Sequence, residues 1–139
     1  MATVIKGGCL CGAVRYECKA DPIMAGHCQY RDCQKDSGTG HASMMMFPKA
    51  AIKITGTAKE HQRKADSGNT VTRGFCANCG SPIYWRTTGM SDGMWIHVGS
   101  LDAPGAFGPQ FVVWTASGRA WDHLDPALPK FERSPHIAS

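Results

Sequence analysis

A mainly β fold with few, short helical turns is what the punctuation of the chain predicts. Sixteen Gly and eight Pro cut its 139 residues into short pieces, the spacing expected of strands joined by tight turns. Several pieces alternate apolar and polar groups at period two, as in Ile52-Lys53-Ile54-Thr55 and Trp95-Ile96-His97-Val98. No window sustains an apolar i, i+3, i+4, i+7 stripe, so large helices are not expected.

In chain order the expected strands are residues 14–18, 41–47, 52–55, 59–63, 70–75, 82–86, 94–98 and 111–114, with helical turns at 31–37 and 121–124. Cys18 closes an alternating strand and reads as core. Met44, Met45 and Met46 follow one another, and on a strand they cannot all face one way. Two are expected in the core and one at an exposed edge; an adaptable apolar pocket wall is the other reading. Trp95 and Trp114 read as core. The polar tail after Pro129 is expected to follow the surface.

The length fits one domain over residues 1–139, and 42% hydrophobic with 19% charged residues excludes wholesale disorder. No run of about 18 apolar residues exists to span a bilayer. The first eight residues show no basic region followed by an apolar stretch, so a cytoplasmic, reducing location is expected. A formal charge of +4 is mild, and no three basic residues run together, so no nucleic-acid partner is expected. Exposed strand edges are compatible with a homodimer but specify none.

Cysteine carries more information. Seven in 139 residues is about 5%, below the roughly 8–10% of disulfide scaffolds. Six of them fall into three pairs: Cys9-Leu10-Cys11 between Gly8 and Gly12, Cys28 and Cys33 enclosing four residues, and Cys76-Ala77-Asn78-Cys79 before Gly80. Tetrahedral zinc with Zn–S bonds near 2.3 Å places neighbouring sulfurs ~3.8 Å apart. A C-x-x-C turn closed by Gly brings two sulfurs that near. Cysteines of a flat C-x-C strand lie roughly 6–7 Å apart, so Cys9 and Cys11 need the bend that Gly7, Gly8 and Gly12 permit. Two pairs make one closed site, and the expected set is Cys9, Cys11, Cys76 and Cys79. Disulfides and inert core cysteines are the competing readings. A redox C-x-x-C normally opens a helix, whereas Pro82 follows here almost at once.

Four segments, read together, resemble the glutathione-dependent formaldehyde-activating enzyme family, which includes the centromere protein V domain. They run from Gly7 to Tyr16, from His27 to Gly38, from Phe75 to Pro82 and from Val98 to Asp102, and Val113 to Ser117 with Trp121 resembles the closing segment. The resemblance implies a β-tent, a structural zinc on the first and last cysteine pairs, and a second, more open zinc on a central C-x-C-x-x-C. That second metal is where the family's chemistry occurs, joining glutathione to formaldehyde, formally the reverse of a carbon–sulfur lyase.

This chain departs from that pattern where Tyr30 occupies the middle cysteine position. Tyrosine titrates near pH 10 and is a poor zinc ligand at neutral pH. Cys28 and Cys33 are thus the expected catalytic pair of a second zinc that lacks a ligand, with His27 and His41 as candidate replacements; one zinc and two remain open. Ser37, Gly38 and the 41–47 strand are expected as pocket walls. Arg15, Arg31 and Lys35 would either meet the carboxylates of a glutathione-like thiol or stay solvated. The expected function is zinc-dependent formation or cleavage of an adduct between a small thiol and an electrophile such as an aldehyde. The alternative is a non-catalytic zinc domain that binds a small thiol or a protein.

Overall fold

The computed structural model describes residues 4–133. Ten strands and one short helix form its framework: β1 (Val4–Gly8), β2 (Arg15–Lys19), β3 (Met24–Cys28), α1 (Arg31–Ser37), β4 (Ala42–Pro48), β5 (Ile52–Thr55), β6 (Ala58–Lys64), β7 (Thr70–Cys76), β8 (Pro82–Thr87), β9 (Gly93–His97) and β10 (Val112–Val113). They build a three-stranded sheet, β1-β2-β5, and a seven-stranded sheet, β10-β3-β4-β9-β8-β7-β6. Pairing is antiparallel throughout, except that β10 runs parallel to β3.

The expectation of a mainly β fold holds, and most strand positions lie within a residue or two of the alternation that marked them. β1 and β3 were not marked. β1 has only Val-Ile before Lys-Gly-Gly, and β3 reads Met-Ala-Gly-His-Cys; Gly, Lys and Ala weaken the local strand signal, and tertiary pairing overrides it. Gly26 serves the fold directly, because a Cβ there would lie 2.4 Å from the Phe111 ring.

Both faces of the large sheet are covered, which gives two apolar clusters. On one face Ile5, Val14, Tyr16 and Cys18 of the small-sheet region pack with Met45, Phe47, Ile83, Met94 and Ile96. The other cluster gathers Met44, Met46, Val71, Trp85, Trp95 and Val113 around Cys28, Tyr30 and Cys33. Trp85 and Trp95 stack there at 5.2 Å between ring centroids.

Double coverage corrects the reading of the three methionines. Met44, Met45 and Met46 are all buried: they alternate between faces, but neither face of β4 meets solvent. Trp95 is core as expected, whereas Trp114 is only half-buried. Residues 121–124 form no helix: Trp121 is 62% exposed and gives a helical turn no packing support, while Asp122 turns to His41. Beyond Pro129 the chain keeps to the surface while bonding along the β10 edge, with Phe131 N–H donating to the Val112 carbonyl at 2.9 Å. Residues 134–139 of that tail lie outside the described residues. No helix of the described residues is long and apolar enough to cross a membrane.

Candidate metal centre

Two glycine-closed turns create the cysteine site. After β1 the chain folds back through Cys9 N–H to the Val14 carbonyl at 3.0 Å and Gly12 N–H to the Cys9 carbonyl at 3.2 Å. Gly12 takes φ +82°, which a side chain would resist. The bend brings the Cys9 and Cys11 sulfurs to 3.6 Å, far closer than a flat strand allows. At the end of β7, Gly80 N–H reaches the Cys76 carbonyl at 2.8 Å, with Gly80 at φ +79°. Leu10 N–H donates to Ser81 Oγ at 3.1 Å across the two turns, and the Cys11 and Cys76 sulfurs meet at 3.7 Å.

All four sulfurs, from Cys9, Cys11, Cys76 and Cys79, lie within 4.8 Å of one another. The turns also aim donors at them. Val14 N–H reaches Cys9 Sγ at 3.2 Å, while Asn78 and Cys79 N–H reach Cys76 Sγ at 3.4 and 3.5 Å. The Val14 bond holds the Cys9 thiol below its ordinary range. The Ser81 hydroxyl, 3.2 Å from Cys79 Sγ, leads the bonds that bring that thiol down to about 5. Four converging thiolates repel one another unless a cation lies between them, and thiolate donors at tetrahedral spacing suit a soft divalent ion. The cluster could therefore hold a metal ion.

Cys28 and Cys33 are different. They meet each other at the join of β3 and α1, buried in the second cluster, and the contact with Cys33 lowers Cys28 while it raises Cys33. Among the described residues the four-cysteine set is the only group of three or more Cys, His, Asp or Glu donors close enough to share an ion. The central pair thus has two donors and no third. Tyr30, at the helix N-cap, packs its ring 4.5 Å from that of Trp114, and its hydroxyl accepts from Asp66 N–H at 3.4 Å.

The two candidate histidines face elsewhere. His27 Nδ1 contacts Ser43 Oγ at 2.9 Å, and burial lowers its imidazole to about 4. His41 packs edge-on to His27 at 4.8 Å and turns Nδ1 to Asp122. A cleft of about 550 Å³ opens beside the four-cysteine turn, lined by Cys9, Arg15, Ser37, His41, Ser43 and His97 among others. Arg15 is committed there to Asp102, at 2.9 Å through Nη1. Arg31, Lys35 and Gly38 line a separate shallow groove with Arg119 and Trp121. Sequence reasoning missed two carboxylate–imidazole pairs at the cleft, His41 with Asp122 and His97 with Asp36, the latter at 2.9 Å. Their partners are distant in the chain, and no local spacing announces them.

The model of the family described as glutathione-dependent formaldehyde-activating enzyme matches residues 4–117. The chain belongs to that family. A crystal structure of a Rhodobacter sphaeroides protein shares the fold, with a TM-score of 0.59 and 15% identity, over 91% of this chain and 98% of that one. No curated protein matches the chain. Within the stretch matched to the glutathione-dependent formaldehyde-activating family, a buried tyrosine, Tyr30, stands between Cys28 and Cys33.

Proposed function

We propose that the chain forms or cleaves an adduct between a small glutathione-like thiol and a small electrophile such as an aldehyde, in the manner of a carbon–sulfur lyase. The observation that carries this reading is the family match over residues 4–117, with the polar cleft beside the cysteine turns as the space for such a ligand. The metal of Cys9, Cys11, Cys76 and Cys79 is zinc in this reading and holds the two turns together.

The catalytic part expected of Cys28 and Cys33, as ligands of an open second zinc, needs donors that these residues do not supply. Where such a zinc is bound, it favours the thiolate form of a thiol and polarises a carbonyl oxygen. The retained pair contributes two thiols in contact, with Arg73 close enough to favour a negative charge on Cys28.

Tyr30 favours a second reading, a zinc-stabilised domain that binds a thiol or a protein without turnover, because it stands where the family resemblance implies a middle cysteine. Adduct formation from glutathione and formaldehyde, followed against the uncatalysed rate, separates the two. Acceleration by the wild-type chain that falls in Cys28→Ser supports the enzyme with a catalytic central pair. Acceleration unchanged in Cys28→Ser keeps the enzyme and removes that pair from catalysis. No acceleration leaves the binding domain.

A further inference from the structure

The geometry points to His41 as the catalytic base of the cleft beside the four-cysteine turns, accepting the proton of a thiol that adds to a small carbonyl compound. This rests on the adduct reaction proposed above and adds the group that moves its proton.

Asp122 is buried, its side chain 8% exposed, and presents both oxygens to His41 Nδ1 at 2.9 and 3.0 Å. Gln29 Nε2 donates to the same carboxylate at 3.0 Å and fixes its orientation. The approach is built into the backbone: a Cβ at Gly40 would lie 2.5 Å from Asp122 Cγ. A carboxylate on Nδ1–H sets the tautomer that leaves Nε2 as the proton acceptor. The His41 ring lines the cleft with its side chain 21% exposed, and His27 packs against it in a T-shaped contact at 4.8 Å. His97 also lines the cleft, but its side chain is 8% exposed and its carboxylate, Asp36, is shared with Arg73 at 3.5 Å. His41 is the more open imidazole, and Arg73 does not share its carboxylate.

The chemistry balances without another reactant. The S–H proton passes to His41 Nε2 as the sulfur electron pair forms the bond to the carbonyl carbon. The C=O π pair moves onto oxygen, which then takes the proton back from the imidazolium. In the reverse direction His41 removes the hydroxyl proton, the C–S bond breaks, and the departing sulfur is reprotonated. Nothing is oxidised or reduced.

The test is steady-state kinetics of the full chain, metal included, with glutathione and formaldehyde as probes. His41→Gln is expected to lower kcat about 100-fold or more with little change in KM, while metal content and melting are kept. Imidazole added to His41→Gly is expected to restore part of the lost rate, which a merely structural histidine would not allow. In the unaltered protein, carbethoxylation mapped to His41 is expected to stop turnover, and glutathione to protect against it. Wild-type kcat in His41→Gln, no rescue in a folded His41→Gly, or a modified His41 with full activity would each overturn the assignment and leave the adduct reaction standing. A wild-type protein that turns over no adduct would remove both.

Discussion

The two cysteine sites share a residue type and differ in almost everything that decides metal binding. In the turns after β1 and β7, four sulfurs converge within 4.8 Å, one of them exposed, with backbone N–H groups already aimed at two of them. At the join of β3 and α1, two sulfurs are buried among aromatic rings, and Tyr30 between them in the chain packs on Trp114. Donor number and turn geometry separate the sites, and cysteine count alone would not. The first could hold an ion that joins two distant turns, while the second offers two donors among the described residues.

The comparison can be broken most severely at Cys76. Cys76→Ser removes one of four ligands and leaves three thiols crowded together, so the expected loss is on the order of several kcal/mol, enough to unfold the chain. Cooperative unfolding of the variant at the wild-type temperature would contradict it. Tyr30→Cys sharpens the contrast from the other side. It empties a buried ring at about 3–5 kcal/mol and adds a third thiol beside Cys28 and Cys33. Elemental analysis should then rise from one metal per chain to two, and an unchanged ratio would mean that the pair is not a ligand set in waiting.

Cys33→Ser is the milder change. A hydroxyl in that buried position costs about 1–3 kcal/mol, and urea unfolding should show a stable, metal-loaded protein. Complete unfolding would reverse the division of labour between the sites.

The smallest effect concerns pH. Cys79 sits near 5 rather than its ordinary 9, so its folded value is the depressed one. Its contribution is therefore complete above about 9, shrinks as the pH falls from there, and is gone below about 5. Ser81→Ala, which removes the hydroxyl donor, should release metal at a higher pH than wild type. Identical release curves would show that the hydroxyl does not tune the cluster.

The staple was readable from residues because its signal is local: Gly8, Gly12 and Gly80 mark the bends, and each bend carries its own cysteines. The strand at 52–55 was readable for the same reason, since alternation is a property of neighbours. The surroundings of the cleft were not. His41 and Asp122 are brought together by the path of the chain after β10, and His97 meets Asp36 only because β9 lies beside β4, against which α1 packs. The methionine triplet misled because alternation predicts opposite faces and says nothing about whether both are covered. Residues 121–124 misled because a short helical turn needs packing that Trp121, exposed to solvent, does not receive.

Paired thermal melts, with the protein as isolated and after removal of its ion by a chelator, weigh most directly on the staple. Stripping should lower the transition sharply, and added zinc should bring it back. Superimposable curves from a sample shown by elemental analysis to have lost its ion would mean that the two distant turns do not depend on a shared cation.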